Sequence, residues 1–313
     1  EIIKQIKDAT HISEKQIQTV LNLLDEGNTI PFISRYRKEV TGGLDEEQIF
    51  SIHQTWSYQK NLFERKEDVI RLIDEKGMLT KELKHAILKA EKLVDVEDIY
   101  RPFKEKKKTK ATEAIAKGLQ GLSNFFMFLS DEDPKEEAKK YVNDDVKSVE
   151  EALEGAMHIL AEFVSDDAEY RKALRDMMRE GNMKTSLKKG AEDERQTYAM
   201  YYEYEEKVKH IKPHRILAIN RGESEKVLSV KIDADKDAMA SYIKEDLIKR
   251  QTSPSMTYIT QAIEDSIKRL IYPSLEREIR AELSELAEDQ AIEVFAENLN
   301  KLLNYRNRFC YCF

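Results

Sequence analysis

The chain has 313 residues, enough for two or three compact domains, yet only ten Gly and six Pro. With 36% charged and 41% hydrophobic residues, this shortage of helix breakers predicts a mainly α, multi-helical protein. A formal net charge of -8 argues against a chain that coats nucleic acid by bulk electrostatics.

The acid is uneven: 17 acidic against 9 basic side chains lie between Asp144 and Glu206, so the remainder is close to neutral and leaves room for local basic patches. The only cysteines are Cys310 and Cys312, which cannot build a disulfide framework. No apolar run approaches the roughly 20 residues that span a bilayer, and the first residues lack the pattern of a signal peptide. The expectation is a cytoplasmic protein with no membrane partner.

In chain order, Ser13 to Gln16 forms a capping-box pattern that opens a helix with Ile17, Val20, Leu21 and Leu24 on one face, stopped near Gly27. Pro31 suits a first helical position, and a short helix is expected from Pro31 to Lys38 before Gly42-Gly43 breaks the backbone. Asp45 then caps a helix of about 30 residues, ending at Gly77, with the stripe Ile49, Ile52, Trp56, Phe63, Ile70, Ile73. That helix is the expected central spine. Leu83, Ile87 and Leu88 mark another helix, which Arg101-Pro102 interrupts.

Lys104 to Lys110 carries five lysines and one glutamate. Two short helices follow, around Thr112 to Lys117 and Leu119 to Leu129, joined at Gly118; they are compatible with a helix-turn-helix-like part. Further helices are expected from Pro134, from the capping box Ser148 to Glu151, and from about Asp167 to Glu180. Tyr198, Tyr201, Tyr202 and Tyr204 crowd what reads as a helical segment. Arg215 to Glu223 is ambiguous between helix and strand. Val227 to Ile232 alternates apolar and β-branched residues with polar ones and is the best strand, so at most a small β ribbon is expected near 226–232. From Ser255 a helical stripe runs to Leu302, and Pro273 should break or kink it. Three regions result: 1–130, 131–303, and an atypical, altered-looking tail at 304–313.

The chemistry-bearing residues are few. There is no G-x-S-x-G, Walker loop or Rossmann fingerprint, so no catalytic residue and no cofactor is expected. His210 and His214 have ligand spacing, but Pro213 lies between them and no acidic partner supports them, so no metal is expected. Lys104, Lys106, Lys107, Lys108 and Lys110 are candidate phosphate contacts, against the plain reading of a solvated loop. Arg35, Arg37 and Lys38 could also grip phosphate. The structural reading is favoured there: the cations pair with acidic residues while Phe32, Ile33 and Tyr36 pin the helix into a core. The tyrosine cluster reads as packing, since Glu203, Glu205 and Glu206 flank it.

The run Ile30 to Glu46, IPFISRYRKEVTGGLDE, resembles the signature near the start of the bacterial Tex family of transcription accessory proteins. Asp98 to Lys104 with Lys108 to Ala111, followed by Ile115 to Leu119, resembles a second motif, and Pro213 to Glu223 a third. The resemblance covers roughly residues 1 to 303. It implies a helical region with a helix-turn-helix-like part and a long central helix. In the family a ribonuclease-H-like domain, helix-hairpin-helix elements and an OB-fold RNA-binding domain follow, and this chain is expected to stop before them. The resulting expectation is a non-enzymatic part of a transcription accessory protein that scaffolds RNA or DNA binding and contacts RNA polymerase or other transcription proteins. The rival is a protein-interaction module in which the acidic 144–206 region docks a basic partner.

Overall fold

The computed structural model describes residues 2–249 and 252–309; in the last helix, side chains are described as far as Leu299, Glu297 excepted. The 304–313 tail, apart from helical backbone to Phe309, lies outside the described residues, as do Cys310 and Cys312. The fold is mainly α with one small sheet, and the chain divides into two compact units, Glu1–Phe103 and Lys104–Phe313.

The first unit is helical throughout. Its helices are α1 (Ile2–Thr10), α2 (Glu14–Asp25), α3 (Ile30–Tyr36), α4 (Lys38–Thr41), α5 (Glu46–Glu75), α6 (Lys81–Lys89) and α7 (Leu93–Tyr100). The spine is α5. Asp45 caps it by accepting from the Gln48 backbone N–H, while the Gln48 side chain accepts from the Asp45 N–H, so two orphan donors are satisfied. One end of α5 buries Ile49 and Ile52 against Ile6, Ile17, Val20 and Ile33. The other buries Leu62, Val69 and Ile73 against Ile87 and Val96.

The expected stripe is therefore off by one position in its middle: Phe63 is 50% exposed and Leu62 takes the inward place. The gap between the two clusters lets the inward face drift. At 3.6 residues per turn Leu62, Val69 and Ile73 stay in line, whereas Phe63 rotates outward.

The second unit contains α8 (Lys110–Ala116), α9 (Gln120–Met127), α10 (Pro134–Ala138), α11 (Val149–Asp166), α12 (Ala168–Arg179), β1 (Asn182–Leu187), β2 (Glu203–Lys207), α13 (Pro213–Ser224), β3 (Leu228–Asp233), α14 (Lys236–Leu247), α15 (Met256–Asp265) and α16 (Tyr272–Phe309). The centre is α11. It buries Ala152, Leu153, Ala156, Ile159, Leu160, Ala161 and Val164 and packs against α8, α9 and α15. Ala111, Ala114, Leu119, Leu122 and Phe126 belong to this second core. The boundary between the two compact units falls at Phe103, so α8 and α9 lie in the second unit.

The expected ribbon is one strand of a three-stranded antiparallel sheet in the order β2-β1-β3. Met183 of β1 sits opposite Glu206 and Ile232, and Thr185 opposite Tyr204 and Val230. The tyrosine segment is therefore not helical: a single 3-10 turn, Ala199–Tyr201, leads into β2. The ambiguous segment after Pro213 is the helix α13.

Pro273 does not break the last rod. A π-helical stretch, Ser266–Ile271, lies just upstream, and the Tyr272 N–H donates five residues back to Ile267. The wider turn accommodates the proline without interrupting the helix.

Candidate nucleic-acid interface

The segment from Thr29 to Gly43 is held by few inward groups. Pro31 lies in the first turn of α3, where its missing N–H costs nothing. Ile33 is fully buried, and Ser34 turns its hydroxyl onto the Pro31 carbonyl at 3.0 Å. With Ile33 and Ser34 facing in, helical geometry sends Phe32, Arg35 and Tyr36 out together.

Arg37 ends α3 with non-helical backbone and starts α4. Thr41 is buried, and its hydroxyl bonds the Arg37 and Lys38 carbonyls at 3.2 and 3.3 Å. Gly42 and Gly43 both have positive φ, 70° and 86°, and close the turn. The Gln16 side-chain amide donates to the Thr41 carbonyl at 3.0 Å and fastens this tip to α2.

What this scaffold presents is an aromatic pair among cations. The Phe32 and Tyr36 ring centroids are 5.2 Å apart and tilted by 40°, and the Arg37 guanidinium lies 5.6 Å from the Phe32 ring centroid. Tyr36 is 70% exposed, and Arg35, Arg37 and Lys38 are all exposed. None of the three cations has an ion pair with a described residue. The expectation that they pair with acidic side chains while Phe32 and Tyr36 pin the helix into a core is thus corrected: of the three apolar residues only Ile33 is buried. A seven-residue helix offers one inward edge, and Ile33 and Ser34 occupy it.

The lysines of the 104–110 loop have different surroundings. Lys106 is clamped between Glu162 and Asp166, one turn apart on α11. Those carboxylates have side chains only 14% and 13% exposed, and Glu162 also accepts from the Thr109 hydroxyl at 2.9 Å. Lys108 reaches Glu113 at 3.3 Å, with its side chain 82% exposed. Lys110 opens α8 and faces the His158 ring nitrogen at 3.5 Å. Lys104 has interactions of its own, and Lys107 is exposed with no partner among the described residues. The five lysines therefore do not form one open basic surface.

The remaining motifs are absorbed by the fold. Tyr198 and Tyr201 are buried, and the Tyr198, Tyr202 and Tyr204 hydroxyls donate to Glu225, Asp193 and Glu206. Desolvation, helped by Glu206, pushes the Tyr204 phenol up to about 12. His214 lies at the start of α13 in a largely apolar groove of 560 Å³ against α16. Among the described residues no group of three or more His, Cys, Asp or Glu converges as a metal site.

Much of the acid between 144 and 206 is used internally, with Glu151 on Lys117, Glu180 on Lys209 and Glu206 on Arg215. A ladder escaped the sequence reading: Arg171, Arg175 and Arg179 of α12 face Ser274, Glu278 and Glu282 of α16. Its signal was four-residue spacing on both helices, but nothing local pairs the two.

The architecture is thus a two-unit helical protein with a small sheet, carrying an exposed basic–aromatic surface on its first unit. It belongs to the Tex family. Residues 1–74 match the Tex-like protein N-terminal domain, and residues 130–295 match the Tex central region-like family. The Bacillus subtilis protein YdcI is 47% identical over 96% of this chain and 42% of its own length. The transcriptional accessory protein Tex of Neisseria gonorrhoeae is 35% identical over 96% of this chain and 40% of its own. The human S1 RNA-binding domain-containing protein 1 is 30% identical over 97% of this chain and 32% of its own. The chain thus spans less than half the length of these relatives. No helix among the described residues is long and apolar enough to cross a membrane.

Proposed function

We propose that this chain is a non-catalytic part of a transcription accessory protein and contributes a nucleic-acid contact surface carried by α3 and α4. The observation that carries the reading is the exposure of Arg35, Arg37 and Lys38 without any carboxylate partner among the described residues. Arginine forks and lysine ammonium groups in that state are ready to take phosphate oxygens. The names of the Neisseria and human relatives, transcriptional accessory and RNA-binding, agree with it. In the second unit Lys107 is the loop lysine best placed for a further phosphate contact, since Lys106 and Lys108 already hold carboxylates. A cytoplasmic setting and contacts with RNA polymerase or other transcription proteins belong to the same proposal.

The test is fluorescence anisotropy of a labelled oligonucleotide with the 313-residue chain at low salt. Replacing Arg35, Arg37 and Lys38 together by glutamine should weaken binding by at least about tenfold, whatever the sequence of the oligonucleotide. Binding that the triple variant leaves unchanged would remove the site from α3 and α4.

A further inference from the structure

We infer that Phe32 and Tyr36 form a stacking site for unpaired bases, so that α3 and α4 read single-stranded rather than double-stranded nucleic acid. The inference rests on the phosphate-contact reading of Arg35, Arg37 and Lys38 and adds the part of the ligand those cations do not touch.

The two aromatic side chains are not needed by the core. Phe32 is 37% and Tyr36 70% exposed, whereas the same helix is anchored by the fully buried Ile33. Exposure of two adjacent aromatics on a short helix leaves apolar area in water that a partner would cover. Val40, 59% exposed on α4, extends that area.

The chemistry of the rim selects the partner. Three cations without ion pairs among the described residues lie on the same short segment as the rings, and Glu39 is the one carboxylate between Pro31 and Gly43. An acidic, flat-faced ligand matches this rim, and a basic or purely apolar one does not. A nucleic-acid strand combines phosphates with planar bases, and stacking on aromatic side chains needs those bases free of a duplex. The Arg37 guanidinium beside the Phe32 ring adds a second flat cationic surface to the same platform. The tilt of 40° between the rings leaves each with a face of its own, not one continuous stack. RNA and DNA share this chemistry, so the strand is named by its unpaired bases and not by its sugar.

The experiment measures affinity of the 313-residue chain for single-stranded uridine and thymidine oligomers, an abasic deoxyribose-phosphate strand of the same length, and a duplex of the same length. The variants are Phe32→Leu/Tyr36→Leu, which keep apolar bulk, and the Arg35, Arg37, Lys38 triple glutamine, with circular dichroism confirming the fold of each. The paired leucine variant should lose about 5- to 150-fold on the base-bearing single strands. It should change little on the abasic strand and the duplex, and Phe32→Tyr/Tyr36→Phe should retain binding. Equal affinity of the wild-type chain for base-bearing and abasic strands overturns the stacking inference and leaves the phosphate reading standing. An unchanged paired leucine variant does the same. Wild-type protein that binds none of the four probes overturns both, as does a triple glutamine variant with undiminished affinity. If the leucine variant binds every nucleic acid normally, the exposed rings serve a protein partner instead.

Discussion

Replacing Glu278 by leucine tests how α12 and α16 are held together. Glu278 accepts from the Arg175 Nε and lies 3.4 Å from the Arg171 Nη2, and the two arginine side chains are only 3% and 1% exposed. Removing one partner of a buried ion pair costs about 3–5 kcal/mol, because the surviving charge has lost both water and its counter-ion. The loss is softened here, because Arg171 and Arg175 have further interactions besides Glu278. The Glu278 side chain is itself 30% exposed, and Arg171 keeps the Ser274 hydroxyl at 3.3 Å. The expected cost is therefore on the order of 2–3 kcal/mol. All these residues lie in Lys104–Phe313, and urea unfolding followed by circular dichroism should show the loss as a lower midpoint. At a slope of about 2–3 kcal/mol per molar urea, the midpoint should fall by roughly 1 M. Glu278→Gln, which keeps its acceptor oxygen, should fall by about half as much. A shift below about 0.3 M for Glu278→Leu would refute the reasoning.

Three further outcomes follow from particular contacts. Leu62→Ala should destabilise the first unit by about 2–4 kcal/mol while Phe63→Ala stays within about 0.5 kcal/mol, measured by chemical denaturation; the reverse order would restore the stripe expected from sequence. Lys106→Ala should cost about 1–2 kcal/mol of thermal stability by removing the ammonium shared by Glu162 and Asp166, and should leave oligonucleotide affinity unchanged; a binding defect without a stability defect would return that lysine to the interface. Burial pushes the His158 imidazole down, and the neighbouring Lys110 ammonium adds to this, with Glu154 and Asp265 opposing and Arg269 reinforcing. The folded chain therefore holds that proton more weakly than the unfolded one. The stabilisation is complete above the unfolded value of about 6.5 and shrinks as pH falls below it. His158→Gln should flatten the decline in melting temperature of the second unit between about pH 6.5 and 5, and an unaltered pH profile would count against it.

The parts of the fold legible in the sequence are those fixed by local chemistry. Asp45 with Gln48, Ser148, Asp167 and the positive-φ glycines mark helix ends through contacts spanning a few residues, and the structure keeps them. β3 was legible because its apolar residues alternate. β1 and β2 were not, because Asn182–Leu187 and Glu203–Lys207 are mostly polar and hold strand geometry only through pairing across the sheet. The identities of Arg35, Arg37 and Lys38 could be read, but not their exposure. In so short a helix the inward edge is set by what Ile33 packs against, which sequence spacing cannot specify. The lysine loop shows the same limit in reverse: Lys106 looked solvated until Glu162 and Asp166 arrived from a helix far along the chain.

The central claim, that Arg35, Arg37 and Lys38 take phosphates, is tested most directly by the salt dependence of binding. Each phosphate neutralised on a single strand contributes about -0.7 to the slope of log K against log salt concentration. Three contacts predict that wild-type protein has a slope steeper by about 2 than the triple glutamine variant on the same oligonucleotide. Parallel lines for the two proteins would contradict the claim.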